Sequence, residues 1–527
     1  MLENFPFYLG ILLVILFMIM LANKIKVAYP ILLVLAGLVI SFIPGIPIIN
    51  IEPDLIFFIF LPPLLYEASW KVSWKEMWRW RRVITSFAFV VVFVSALSVA
   101  LVANYIIPGF SLALGFVLGG IVSPPDAVSA GAILKFVKVP KTVSSILEGE
   151  SLLNDASSLI IFRFAMIAVA TEQFIFHKAA LSFSWMIIGG VSIGLLIGWV
   201  FMKAHKYLPT DVNADSVLTL LTPYIIYLTA EEVHCSGVLA VVSAGLLLSN
   251  NRHRFLSSRS RIRGVNVWES FCFILNGFVF MLIGLDLPQI TKGLEEVNIG
   301  IPTAVGYGVL ITLVLIVSRM LSSYGAVIVT LITRNFITVA DSKNPGYRVP
   351  FILGWTGMRG VVSLAAALSI PVYLNNGNGF PQRNLILFIT FIVILLTLLI
   401  QGLTLPYFIR KILTNNNDDD DLSRNEVYNN IRQELAEFAT HYLKTNYSNQ
   451  VENNAALQHL ILKWEQHSNE IDDESIGEDL KVIYLDLLHQ QRRWLINKNK
   501  EDQSLDESII RRQMHYLDIE EEKLRYI

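Results

Sequence analysis

The chain of 527 residues contains few charged residues and almost no cysteine. Charged residues make up 16% of it, against roughly a quarter in soluble domains, and 54% of its residues are apolar. This composition excludes a disordered chain and an ordinary cytosolic enzyme, and two cysteines, Cys235 and Cys272, cannot form a disulfide framework. The sequence also lacks a nucleophile–base set, metal-ligand spacing and a nucleotide fingerprint, so we predict no enzyme, cofactor or nucleic-acid partner. A mean hydropathy of +0.55 indicates a membrane protein.

Charge divides the chain into two regions. Residues 1–411 contain 28 lysines and arginines against 19 acidic residues, whereas residues 412–527 contain 13 against 24. We therefore predict a membrane domain over 1–411, a hydrated linker over 412–422 and a small helical cytoplasmic tail over 423–527. Apolar residues recur at helical spacing in this tail, at Val427, Ile431, Leu435, Phe438 and Tyr442, and in similar stripes over 455–467, 479–497 and 505–525. A regulatory role is one interpretation of the tail, whose partner is unknown.

Apolar segments of about 20 residues predict thirteen transmembrane helices. They lie at residues 7–22, 29–44, 54–69, 83–106, 111–134, 145–170, 180–203, 215–230, 236–250, 267–286, 302–333, 350–371 and 386–409. Alternate loops contain 20 basic residues in one set and three in the other. Because basic loops stay in the cytoplasm, we expect the N-terminus outside and the tail inside. The prediction is a multi-pass protein of the cell (inner) membrane, surrounded by lipid.

Two predicted spans are interrupted near their middle. The fifth contains Ser123-Pro-Pro-Asp126, and the twelfth contains Gly357-Met-Arg-Gly360. If the seventh span is a linker, spans one to six correspond to spans eight to thirteen, and the two interruptions then correspond as well. We therefore predict an all-α polytopic fold of two inverted six-helix repeats with crossed broken helices. Asp126 and Arg359 carry charges opposite to the partial charges that exposed half-helix ends would present.

The sixth span contains the densest polar cluster, Glu148-Gly-Glu-Ser-Leu-Leu-Asn-Asp155. Ser151 and Asp155 share one helix face with Ser158, while Glu150 and Asn154 share the neighbouring face. Their oxygen atoms suit a small hard cation, and a carboxylate can also bind a proton.

Other charged residues inside predicted spans need partners, because a buried charge is costly in a membrane. For Arg319 we expect Glu150 or Glu148. Glu67 is expected to brace the Asn154 amide. Arg163 is left open between a functional role and a structural one, in which it snorkels or pairs locally.

Four segments resemble the monovalent cation:proton antiporters of the NhaP and sodium/proton-exchanger type. They are LPPLLYEA (61–68), SPPDAV (123–128), EGESLLNDAS (148–157) and GWTGMRGVVSLAAAL (354–368). The resemblance covers about residues 1–410. It implies a homodimer with an ion site between a six-helix core and a dimerisation panel, and exchange of H⁺ for Na⁺ or Li⁺, with K⁺ left open.

The resemblance also implies roles for individual residues. Asp155 would be the exchanging carboxylate and Ser151 a cation ligand. Asn154 would be a structural amide, Glu150 an ion-pair or water-mediated partner, and Arg319 and Arg359 electrostatic braces. Many members have Thr-Asp where this chain has Pro125-Asp126. The Pro125 carbonyl or Ser123 would then replace the missing hydroxyl as a Na⁺ ligand.

These observations predict a secondary active transporter for pH and sodium homeostasis. Asn154 stands where electrogenic relatives of this superfamily carry a second aspartate, so exchange is expected to be 1:1 and electroneutral. A cation channel and a membrane sensor that signals through the acidic tail are the alternatives. A channel needs filter rings or carbonyl loops, which the sequence does not indicate. Deleting 412–527 would distinguish a transporter from a sensor, since a transporter keeps some ion flux and a sensor loses its signalling output.

Overall fold

Helices form nearly all of the regular structure. A computed structural model describes residues 5–43, 53–137, 139–171, 176–295, 299–333, 347–374, 378–413, 417–448, 451, 457–458, 461–462, 478–502 and 505–526. Over these residues the only β-structure is an isolated bridge between Tyr373 and Gly379. The predicted all-α class is therefore confirmed for the described part of the chain.

The N-terminal half contains ten helices over its described residues. They are α1 (Phe5–Ile25), α2 (Tyr29–Ser41), α3 (Pro53–Lys71), α4 (Trp74–Arg79), α5 (Arg81–Thr85), α6 (Val92–Ile106), α7 (Leu112–Val122), α8 (Ala127–Leu134), α9 (Lys141–Thr171) and α10 (Phe176–Tyr207). A π-helical segment, Ser86–Val91, joins α5 to α6. The predicted fourth span is thus assembled from several consecutive pieces rather than one α-helix.

The C-terminal half contains eight further helices before the tail. They are α11 (Val212–Glu232), α12 (Gly237–Phe255), α13 (Ser258–Leu285), α14 (Leu287–Glu295), α15 (Ile301–Thr333), α16 (Arg348–Trp355), α17 (Val361–Leu368) and α18 (Arg383–Leu413). Seven described helices are long and apolar enough to cross a membrane, and α2 and α7 are shorter apolar helices. The prediction of thirteen spans is consistent with these helices but goes beyond them.

Both predicted interruptions are present. Helix α7 ends at Val122 and α8 begins at Ala127, while α16 ends at Trp355 and α17 begins at Val361. Proline lacks the backbone donor that a helix interior requires, which explains the first break. Proline alone is not sufficient, however, because Pro62 and Pro63 lie inside the continuous helix α3.

The described chain divides into two compact units. The first comprises Met1–Ala204, Leu218–Asn251 and Val267–Thr414. Its buried core includes Leu118, Phe280 and Phe391 and contains most of the apolar helices. This unit overlaps residues 1–411 except for 205–217 and 252–266, which belong to the second unit.

The second unit comprises His205–Val217, Arg252–Asn266 and Asn415–Ile527. Its tail helices are α19 (Asn417–Asn446), α20 (Glu478–Glu501) and α21 (Glu507–Tyr526), so the predicted stripes over 479–497 and 505–525 are helical. Most of the stripe over 455–467 lies outside the described residues. The linker predicted over 412–422 is largely helical instead, because α18 extends to Leu413 and α19 begins at Asn417. Acidic residues are favourable in the first turn of a helix.

A buried ionic cluster lies inside the second unit. The Arg261 Nε atom donates to Asp518 Oδ2 at 2.9 Å, and Arg492 Nη2 donates to Asp518 Oδ1 at 3.0 Å. Arg492 also pairs with Glu521 at 2.5 Å, and Ser258 Oγ donates to Glu521. The helical tail therefore folds together with the start of α13 as one unit, which its own apolar stripes could not indicate.

Candidate functional site

The two broken helices meet at their interruptions, residues 123–126 and 356–360, which we call the crossing. The Asp126 backbone N–H donates to the Met358 carbonyl at 2.7 Å. Asp126 also caps α8, since its carboxylate oxygens accept from the backbone N–H groups of Val128 at 3.2 Å and Ser129 at 3.1 Å. A carboxylate at a helix N-terminus opposes the positive end of the helix dipole.

Arg359 donates hydrogen bonds to the C-terminal end of α7. Its side chain is buried, and its Nε and Nη2 atoms donate to the carbonyls of Val122 at 2.7 Å and Ser123 at 3.2 Å. These carbonyls lie at the C-terminal end of α7, where the helix leaves acceptors without intrahelical donors. The predicted opposition of charge and half-helix end is therefore confirmed at both Asp126 and Arg359.

Two glycines make this packing possible. A Cβ added at Gly360 would lie 2.6 Å from Cγ of Asp126, and one added at Gly357 would lie 2.7 Å from Nη1 of Arg359. Real Cβ atoms do not approach other heavy atoms this closely, so any larger residue displaces a charged side chain. The glycines of the twelfth predicted span are therefore steric requirements of the crossing.

Asp155 lies in α9 as a buried carboxylate. Among the described residues no hydrogen bond or ion pair reaches its oxygens, and the charge of Asp126 is close enough to act on it. The neighbouring Asn154 amide donates to the Pro125 carbonyl at 3.1 Å, while Asn154 Oδ1 and the Ser123 hydroxyl are buried without partners in the part of the chain described. The side-chain oxygens of Ser123 and Asn154 are thus buried near the crossing without partners among the described residues.

Glu150 and Arg319 form a buried ion pair. Arg319 Nη1 and Nη2 donate to the two Glu150 oxygens at 2.7 and 2.9 Å, and both side chains are at most 2% exposed. A bidentate pair is among the strongest polar contacts in proteins. Of the two partners predicted for Arg319, the structure has Glu150. Glu148 is exposed and accepts a hydrogen bond from Ser144 in its own helix.

The expectations for Glu67 and Arg163 differ from the structure. The predicted Glu67 brace on Asn154 is wrong, because Glu67 pairs with Lys71 one turn further along α3 and the Asn154 amide bonds to Pro125. Arg163 pairs with Glu231 at 3.0 and 2.8 Å, 68 residues away. The ion pair is therefore not local to the helix of Arg163, and it joins α9 to the end of α11.

The π-helical segment Ser86–Val91 lies beside the site, and the sequence does not predict it. The Ser157 hydroxyl donates to the Ala88 carbonyl of this segment at 2.5 Å, which fixes α9 two residues beyond Asp155. Such π-segments are frequent near functional sites because they interrupt the regular hydrogen-bond ladder. The run Ser86–Val91 is almost entirely apolar and gives no signal of this geometry.

Comparisons with known proteins agree with this architecture. Residues 11–411 match the family described as "Sodium/hydrogen exchanger, transmembrane". The chain is 33% identical to the "Sodium, potassium, lithium and rubidium/H(+) antiporter" of Bacillus subtilis over 72% of this chain and 57% of that protein. It is 33% identical to the "Na(+)/H(+) antiporter ApNhaP" of Aphanothece halophytica over 73% of this chain and 70% of that protein. The chain therefore spans a little over half the length of the Bacillus relative.

A solved structure shows the same fold. The sodium proton antiporter MjNhaP1 from Methanocaldococcus jannaschii matches with a TM-score of 0.60 at 19% identity, covering 78% of this chain and 99% of that chain. At this identity the likeness establishes the fold alone. Because the family match spans most of the chain and includes both broken helices, the chain belongs to the sodium/hydrogen exchanger family.

Proposed function

We propose that the protein is a secondary active transporter that exchanges H⁺ for Na⁺ or Li⁺, with K⁺ as a further substrate to be tested. One observation carries this proposal: Asp155 is a buried carboxylate that no described residue neutralises, and it lies beside unpaired oxygens at a helix crossing. Burying an uncompensated charge is costly, so such a carboxylate requires a proton or a cation. Competition between the two for one carboxylate is the physical basis of exchange.

The cation site is proposed at Asp155, with Ser151, Ser123 and the Pro125 carbonyl as further oxygen ligands. The buried Ser123 hydroxyl supports this choice because it has no partner among the described residues. The Pro125 carbonyl accepts one hydrogen bond from Asn154, and a carbonyl oxygen has a second lone pair. Asn154 then holds the backbone of the first break in position as a structural amide.

Charge counting supports 1:1 electroneutral exchange. Both Glu150 oxygens accept hydrogen bonds from Arg319, so we assign the exchange of proton and cation to Asp155 alone. With one exchanging carboxylate, the site has the same net charge whether it carries a proton or a cation across the membrane. A second titrating carboxylate would move net charge, so the voltage dependence of transport tests the count.

The remaining architecture is proposed from the fold. We infer thirteen spans in two inverted six-helix repeats, an external N-terminus, a homodimer in the inner membrane and a role in pH and sodium homeostasis. The helical tail is proposed to be regulatory. Its deletion over 412–527 should leave exchange measurable but change its dependence on pH, whereas a sensor would show no exchange with or without the tail and would lose its signalling output on deletion.

Purified protein in proteoliposomes tests the exchange directly. With an imposed pH gradient, Na⁺, Li⁺ and K⁺ are added separately and proton movement is followed with a pH dye. We expect proton flux with Na⁺ or Li⁺, and the same initial rate with and without a potassium/valinomycin potential. No proton flux with any of the three cations would overturn the proposed function, and a rate that scales with the potential would overturn the one-carboxylate count.

A further inference from the structure

A further buried amide, Gln401, lies near the crossing, and no described residue bonds to it. Gln401 in α18 is fully buried, and neither Oε1 nor Nε2 has a hydrogen-bond partner among the described residues. Burying an amide without hydrogen bonds costs free energy, and it is more costly in a membrane helix than an apolar side chain of the same size. Packing alone therefore favours leucine or methionine at this position.

The neighbours of Gln401 place it against the second break. The Thr397 hydroxyl accepts from the Arg359 backbone N–H at 3.2 Å, and the Thr404 hydroxyl accepts from Trp355 Nε1 at 3.0 Å. Residues 397, 401 and 404 share one face of α18. Trp355 is the last residue of α16 and Arg359 lies within the interruption, so Gln401 lies between the two contacts that attach α18 to the break.

The C-terminal ends of α7 and α16 have different hydrogen-bond partners. Arg359 neutralises the C-terminal carbonyls of α7. At the C-terminal end of α16, Thr356 Oγ1 satisfies carbonyls locally by donating to Ile352 at 2.9 Å and Leu353 at 3.1 Å. Gln401 lies on the helix face directed towards this end, and its amide oxygen is a neutral acceptor without a partner among the described residues.

We propose that Gln401 is a specificity-determining residue, whose amide oxygen contacts the transported monovalent cation, or the water that this cation retains, as it passes the second break. The inference rests on the proposed function and adds a position that lies outside the four family-like segments. An amide oxygen is a neutral ligand. It can therefore help to dehydrate a small cation without adding a titrating group, which keeps the charge count of the exchange unchanged.

The test compares three variants in the proteoliposome assay. Gln401→Met removes the amide at similar volume, and Gln401→Glu keeps a side-chain oxygen. Gln491→Met is the matched control, because Gln491 is also fully buried with both amide atoms unpartnered among the described residues but lies in α20 of the second unit. KM values for Na⁺, Li⁺ and K⁺ are measured at one pH, together with the melting temperature in detergent.

The expected result separates transport from folding. Gln401→Met should raise the KM for the preferred cation about tenfold, which corresponds to about 1.4 kcal/mol of binding free energy, and should change the ratios between cations. Its melting temperature should equal or exceed that of the wild type, because an unpaired buried amide has been removed. Gln401→Glu should recover most of the cation affinity, and Gln491→Met should leave all three KM values unchanged.

Two results would overturn the proposal. Unchanged KM values in Gln401→Met, with an active wild type, would show that the cation does not contact this amide. A lower melting temperature with unchanged cation ratios would show that the amide has a structural partner instead. An inactive wild type would refute the proposed function itself, so the two failures are distinguishable.

Discussion

The Arg319–Glu150 ion pair provides a quantitative test of how the core is held together. Both side chains are almost fully buried, and two hydrogen bonds of 2.7 and 2.9 Å join them. Removing one partner leaves an uncompensated charge, so Arg319→Met or Glu150→Met alone should lower the free energy of unfolding by about 3–5 kcal/mol. The double variant replaces the pair by apolar side chains and should be more stable than either single variant.

The assay is equilibrium unfolding in mixed detergent micelles, followed by tryptophan fluorescence. The matched control is the Arg163–Glu231 pair, whose side chains are 41% and 27% exposed. Its double-mutant cycle should give a coupling energy of no more than about 1 kcal/mol, because its two side chains are only partly buried. If the decreases in the free energy of unfolding of Arg319→Met and Glu150→Met simply add in the double variant, the two charges are not coupled and the reasoning is refuted.

Three further predictions concern other parts of the molecule. Gly360→Ala should displace the Asp126 carboxylate and abolish most exchange. Gly131→Ala in α8 is the control and should be active, because an added Cβ meets open space there. Equal exchange activities of the two variants would contradict the steric argument. Arg359→Lys keeps the charge but not the two-carbonyl geometry, and should reduce both the exchange rate and the melting temperature; wild-type values of both would mean that charge alone suffices. Burial and four nearby arginines lower the pKa of His253 to about 2, so below pH 6.5 the unfolded chain binds a proton that the folded second unit does not. The free energy of unfolding of this unit should therefore fall by at most about 1.4 kcal/mol per pH unit below pH 6.5, measured as loss of protease resistance. If His253→Gln leaves protease resistance equally pH-sensitive, the prediction is contradicted.

The parts of the site that could be predicted from the sequence follow from local chemistry. Paired prolines at 124 and 125 and glycines at 357 and 360 indicated where helices break, and the broken helices are present. The charges of Asp126 and Arg359 predicted that both residues oppose the partial charges of half-helix ends, but not that Arg359 contacts the end of α7 in the other broken helix. The polar cluster around Asp155 could be predicted because charged residues are rare in membrane spans.

The remaining features depend on contacts between distant residues. The bond between Arg163 and Glu231 requires α9 and α11 to be close, which the sequence does not indicate. Glu67 was assigned to a distant amide, although Lys71 one turn away is a nearer partner. Gln401 lies in a strongly apolar run and gave no signal, because its significance lies in the absence of partners in the folded protein.

Proton release on Na⁺ binding tests the assignment of Asp155 most directly. Purified wild-type protein and Asp155→Asn are titrated with NaCl in weakly buffered detergent solution, and the released protons are counted against choline chloride as the ionic-strength control. If one carboxylate binds either H⁺ or Na⁺, the wild type should release at most one proton per Na⁺ bound, approaching one at a pH where the site is protonated, and Asp155→Asn should release none. Proton release by Asp155→Asn that equals the wild type would contradict this assignment.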